Sequence, residues 1–245
     1  MCDVFPNGSS RLITNGVLNL SHITSSENPK PLRKNTFYSC TILLDAIGYQ
    51  VQPGHTICVS ITPTYWPLIW PSRSKTSITI QKGVLSIPHL EDVSKFEIGE
   101  DQPQSLFKKP LYGLPMNTTT LREPFYRRCF DYGLSDDTKF IKTIDDEGCT
   151  YNADIDTTFG QKNVYKYTLG GQKDPLSATA QCKSDLELEF LVSDPTKRQK
   201  TKINTEQKMT CDSENFYLTE TINITLNNED FFRKSYQSTV KRNFC

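Results

Sequence analysis

The sequence lacks most of what an autonomous enzyme or a membrane-spanning protein needs. No Gly-x-Ser-x-Gly run occurs in it, so the elbow that exposes a serine nucleophile at a strand-to-helix turn is missing. The alternation of strands and helices that would position a catalytic triad is absent too. No Cys-x-x-Cys pair is present, which removes the usual zinc spacing. No apolar stretch approaches the roughly 18 residues of a membrane span. Neither charge sign is in excess, with 28 basic residues against 28 acidic ones, and a nucleic-acid or lipid-surface footprint needs a basic surplus. The sequence therefore assigns no catalytic residue, no metal ligands and no cofactor, and it expects neither nucleic acid nor a membrane as partner. No leader segment is visible, because Met1-Cys2-Asp3-Val4-Phe5 runs directly into a Pro6-Asn7-Gly8 turn. A cytoplasmic setting is favoured on that ground.

Apolar residues are also sparse, at 36% of 245 residues, and Thr, Ser and Asn fill the deficit. Thr favours strands, and Asn and Ser favour turns, so the composition predicts thin β layers. Period-2 alternation recurs. Ile57, Val59 and Ile61 share one face of the run His55 to Thr62. Leu186, Leu188, Phe190 and Val192 share another, and Phe216, Leu218, Ile222, Ile224 and Leu226 repeat the pattern. Phe37 to Leu44, Thr76 to Ile80 and Val164 to Leu169 are shorter candidates, each bounded by turn formers. Helical signals are weak, and the best is His89 to Ile98, long enough for at most a turn or two. Lys197-Arg198-Gln199-Lys200-Thr201-Lys202 reads as a solvated hairpin loop. Pro103, Pro110, Pro115 and Pro124 break any alternation between about Glu91 and Pro124, and that stretch reads as a connector. The expected organisation is an N-terminal β unit over 1–90, a connector over 91–125 and a terminal antiparallel β region over 126–245.

Eight cysteines stand singly, and Cys40 and Cys58 fall inside apolar patterns where a thiol acts as a small hydrophobe. Their even number keeps disulfides open, and Asn-x-Ser/Thr triplets at Asn7, Asn19, Asn117 and Asn223 leave glycosylation open. His22, His55 and His89 are the whole histidine complement. A triad histidine requires an activated serine and an orienting carboxylate, so each is read as a turn or edge residue. Tyr65, Trp66 and Trp70 lie on a proline-stiffened segment and are the candidates for ligand binding or domain contact. Such rings can form a platform for sugars or acyl groups, or fill an interface.

Several runs carry a family resemblance. They are Cys2-Asp3-Val4-Phe5-Pro6-Asn7-Gly8, Thr14-Asn15-Gly16-Val17-Leu18, Pro53-Gly54-His55 and Thr64-Tyr65-Trp66-Pro67-Leu68-Ile69-Trp70-Pro71-Ser72. Together they resemble the C-terminal non-catalytic domain of the CocE/NonD hydrolases, relatives of the X-Pro dipeptidyl-peptidases. Asp145-Asp146-Glu147-Gly148 and Asp174-Pro175-Leu176-Ser177-Ala178 resemble that family's last β region, which extends the likeness over nearly the whole chain. The resemblance implies an all-β fold, a partial, galactose-binding-like jelly-roll sandwich followed by a second antiparallel β region. It implies an N-terminally truncated accessory part of a serine hydrolase, with the Ser-Asp-His triad in an α/β-hydrolase domain outside this chain. The family's activity would be dipeptidyl-peptidase or acyl esterase, with this chain inactive alone and the α/β-hydrolase domain as its partner. A homo-oligomer stays open. The competing reading is a stand-alone carbohydrate- or ligand-binding β-sandwich built around Tyr65, Trp66 and Trp70.

Overall fold

The computed structural model describes residues 1–89, 116–133, 138–170, 174–192 and 197–244. The described residues are all-β, as the alternation predicts, and every strand pairing is antiparallel.

Three short strands, β1 (Cys2–Val4), β2 (Ser10–Leu12) and β3 (Thr56–Cys58), form a small sheet in the order β2-β1-β3. Eight longer strands form a second sheet: β4 (Thr118–Arg122), β5 (Phe125–Tyr132), β6 (Lys139–Asn152), β7 (Thr157–Leu169), β8 (Thr179–Leu191), β9 (Arg198–Cys211), β10 (Asn215–Leu226) and β11 (Glu229–Lys241). From β6 onward each strand pairs with its sequence neighbour, so the sheet is a meander ending on β11. At about 3.4 Å per residue its central strands run roughly 45 Å.

Turn chemistry explains the meander. Asn227 and Asn228 both adopt positive φ, 53° and 69°, and join the register pair Leu226 and Glu229. Two left-handed residues between paired strands make a type I′ hairpin, for which Asn is well suited. Between β9 and β10 the Asp212 carboxylate accepts from the backbone N–H groups of Glu214 and Asn215, each at 2.7 Å, an Asx-type turn.

The opposite edge has a break. β5 pairs with residues 139–146 of β6 and β4 with residues 149–152, so the two lie end to end along one strand. They part at Glu123-Pro124, where proline offers no ladder donor. Facing this break, β6 shifts register between Asp146 and Gly148, and Gly148 takes φ 80°. A Cβ there would come within 2.4 Å of the Arg122 carbonyl oxygen, so both conformation and space demand glycine. The Arg122 guanidinium closes the break. It donates to Asp146 Oδ1 at 3.1 Å, to the Gly148 carbonyl at 3.0 Å and to Glu187 Oε1 at 2.5 Å.

Three sequence expectations change. Phe37 to Leu44 and Thr76 to Ile80 carry no regular secondary structure, because alternation marks an apolar face without supplying a strand to pair with. The basic run at 197–202 is no loop, since β9 begins at Arg198. Two of its lysines stand opposite acids on β8, with Lys200 facing Glu189 and Lys202 facing Glu187, and opposite charges across a ladder stabilise the pairing. Cys40 and Cys58 are exposed rather than packed as hydrophobes. The expected helical turn at His89 to Ile98 falls outside the described residues save for His89, as does most of the 91–125 stretch. The described end of that stretch contains β4.

Little of the chain is deeply buried. The buried apolar residues among those described are Ile13, Ile141, Cys149 and Ala178. The accessible surface is 19430 Å², whereas a compact monomer of 28.0 kDa exposes about 11,000 Å².

Candidate functional site

The segment carrying Tyr65, Trp66 and Trp70, which follows the small sheet in the chain, packs against the long sheet. It is a tight turn, with Ile69 N–H donating to the Tyr65 carbonyl at 2.8 Å and a cis peptide at Trp66-Pro67. Trp66 and Trp70 stack edge to face, 5.1 Å apart and at 89°. Trp66 then meets Tyr167 of β7 at 6.1 Å, and Trp70 meets Phe216 of β10 at 5.6 Å, again edge to face. These geometries are the favourable ones for aromatic pairs. Perpendicular rings do not share a plane, so the two indoles offer no single flat platform. Tyr65 is exposed at 38% beside them.

Polar contacts lock the same seam. Trp70 Nε1 donates to Cys211 Sγ at 3.2 Å, and the Cys211 thiol donates to the Leu176 carbonyl at 3.7 Å. Leu176 sits in a 3-10 turn, Pro175–Ser177, capped by the Asp174 carboxylate at 3.0 Å. Two separate runs singled out in the sequence, one around Trp70 and one at Asp174 to Ala178, thus converge on Cys211.

Arg242, just beyond β11, is fully buried. It donates to the Pro71 carbonyl at 2.7 Å and the Asp212 carbonyl at 2.9 Å, and its guanidinium lies 4.8 Å from the centre of the Phe216 ring. Arg73 donates to the Arg242 carbonyl, and Asn19 Nδ2 to the Phe244 carbonyl at 2.9 Å. Buried polar groups cost free energy unless paired, so the Arg242–Pro71 hydrogen bond helps hold the 65–73 segment against the end of the long sheet. No sequence signal pointed to Arg242; an arginine in a run of exposed polar residues looks like any surface cation. Beside the turn, Pro67, Leu68, Arg128, Thr143, Tyr165 and Tyr167 line an open cleft of about 240 Å³.

A second cluster lies in the small sheet. Asp3, 1% exposed, accepts from Tyr49 Oη at 2.7 Å, and its two oxygens each lie 3.0 Å from His55 Nδ1. His55 therefore has the orienting carboxylate that its sequence context did not reveal. The hydrogen bond from His55 holds the Asp3 carboxyl below its usual range, Tyr49 adds to this, and burial works against it. The phenol of Tyr49 is pushed up by the same carboxylate. No serine, threonine or cysteine among the described residues hydrogen-bonds this ring, so the pair lacks the nucleophile of a triad. His22 lies in the 3-10 turn Leu20–His22, and His89 is exposed. No group of three or more metal-ligating side chains is found among the described residues.

Residues 1–95 match the X-Pro dipeptidyl-peptidase C-terminal non-catalytic domain. The matched stretch contains the Asp3–His55 pair and the whole aromatic turn, and the seam lies between that stretch and the long sheet. No curated protein and no solved structure matches the chain. No helix among the described residues is long and apolar enough to cross a membrane.

Proposed function

We propose that this chain is the non-catalytic C-terminal β region of a CocE-like or X-Pro dipeptidyl-peptidase-like serine hydrolase, supporting an α/β-hydrolase catalytic domain and contributing to the wall of its substrate pocket. The observation that carries this reading is the family match over residues 1–95. Three others support it. The chain contains no nucleophile elbow. The Trp66–Trp70 turn is engaged in contacts to the long sheet rather than presented as a ligand platform. Large apolar side chains stand uncovered on the family-matched unit, including Phe37 at 64%, Leu43 at 83% and Val84 at 95%, which suits a surface closed by another domain. In this reading the region over 126–245 is the terminal β region of the same family, and the 91–125 stretch, whose described end already adds β4 to the long sheet, leads into it from the jelly-roll unit.

The reaction belongs to the partner: acyl transfer to water from an ester or an X-Pro peptide. The test adds the 245-residue chain to a recombinant α/β-hydrolase domain of this family that lacks its own C-terminal region. A rise in that domain's melting temperature and in its turnover of a chromogenic ester or X-Pro substrate is expected, with no turnover by the chain alone. Turnover by the chain alone, or no effect on the catalytic domain, overturns the proposal. Saturable binding of a glycan, lost in Trp66→Ala or Trp70→Ala, would favour the carbohydrate-binding module instead.

A further inference from the structure

We propose that Cys2 and Cys58 form a cross-strand dithiol that closes to a disulfide and staples β1 to β3. The two are direct register partners in the antiparallel β1–β3 ladder. Partners in such a ladder share a face, with Cβ atoms about 4.5–5.5 Å apart. Their Cα separation, about 4.5 or 5.5 Å depending on the hydrogen-bonding phase, falls within the roughly 4.4–6.8 Å that a disulfide spans. Both thiols are free; Cys58 is exposed and Cys2 half-buried, so a small oxidant reaches at least one directly.

The other cysteines are placed differently. Cys129 faces Lys142, Cys149 faces Gly160, Cys182 lies between Tyr165 and Gln207, and Cys211 faces Phe216. Cys211 is held by Trp70 and Leu176, and Cys149 is buried. Among the described residues, Cys2 and Cys58 are the cysteine pair that shares a ladder position.

The reaction is thiol–disulfide exchange with a low-molecular-weight disulfide of the glutathione class. The Cys58 thiolate attacks one sulfur, the small-molecule S–S bond breaks, and one small thiolate leaves. The Cys2 thiolate then attacks the mixed disulfide at the Cys58 sulfur, expelling the second small thiolate and forming the Cys2–Cys58 bond. Two protein thiols are oxidised and one small disulfide is reduced to two thiols, which take up the two protons released. The product clamps the same two strands that hold Asp3 against His55, with Asp3 opposite Ile57 and Val4 opposite Thr56.

The experiment equilibrates the chain in reduced and oxidised glutathione mixtures, quenches with an alkylating agent and maps cysteines by mass spectrometry. A Cys2–Cys58 linked peptide is expected at the oxidising end, with two fewer free thiols, a higher melting temperature and reversal by dithiothreitol. Cys2→Ser should leave glutathione trapped on Cys58, because the resolving thiol is gone. Separate alkylation or glutathione capping of Cys2 and Cys58 in the parent chain overturns the proposal. Linkage of either to a different cysteine does the same, and so does loss of the Cys58 adduct in Cys2→Ser at the parent rate.

Discussion

Asp3 is a carboxylate placed inside a strand, and its ionised state is stabilised chiefly by His55 and further by Tyr49. A carboxyl held below its unfolded pKa, about 3.9, contributes stability that is present above that pH. The contribution is lost as pH falls through the lower folded value. Melting temperature measured from about pH 6 downward should therefore drop below about pH 4 in the parent chain, and Asp3→Asn should flatten that part of the drop. An unchanged acid limb in Asp3→Asn would show that the pair contributes nothing. At the seam, Arg242→Ala removes the donors of two carbonyls and a cation from the Phe216 ring. Leaving buried acceptors unpaired costs about 1–3 kcal/mol, and urea unfolding should show a loss of about 3 kcal/mol once the lost packing is added. Gly148→Ala forces a side chain into positive φ and against the Arg122 carbonyl. A loss of about 2 kcal/mol or more is expected by the same measurement.

Among elements, the 65–73 turn is the one whose removal has the widest effect, because its two indoles touch strands β7 and β10 at once. The only two tryptophans of the chain are on it, so intrinsic fluorescence reports its docking directly. Trp70→Ala should cost about 2–3 kcal/mol, less than a fully buried tryptophan. It should also red-shift Trp66 emission in the folded state. Emission that stays unshifted would mean that Trp66 holds its place without its neighbour. The strands show how far alternation carries. The pattern at 185–192 falls within β8 save for Val192, and that at 216–226 within β10, where polar and apolar residues alternate on a paired ladder. β6, β9 and β11 went unread because their faces carry Lys, Thr, Gln and Asp, and their stability comes from cross-strand partners such as Glu189 and Lys200, which lie apart in sequence.

At the scale of the whole molecule the governing fact is uncovered surface. The edge strand β11 is exposed along all its 13 residues, with Phe231 at 67% and Tyr236 at 45%. Unpaired edges and contiguous apolar surface are the physical basis of self-association. The isolated chain is expected to self-associate as concentration rises, seen as a growing mass in light scattering coupled to size-exclusion chromatography. On the proposed reading, addition of an α/β-hydrolase catalytic domain of the matched family should reverse the part due to residues 1–95. A monomer that melts cooperatively at every concentration would contradict this.

The sequence by itself determined the all-β class and the missing nucleophile elbow, and it singled out the aromatic run as a candidate for ligand binding or domain contact. These are local properties: period-2 alternation, a motif readable within five residues, and bulky rings on a proline-stiffened segment. The tertiary structure decided the rest. It paired Asp3 with His55, brought Trp70 and Leu176 to Cys211, buried Arg242 under the seam and set Cys2 opposite Cys58. Each of these joins residues far apart along the chain, and such contacts depend on which strands pair and in what register, which a single strand's pattern does not encode.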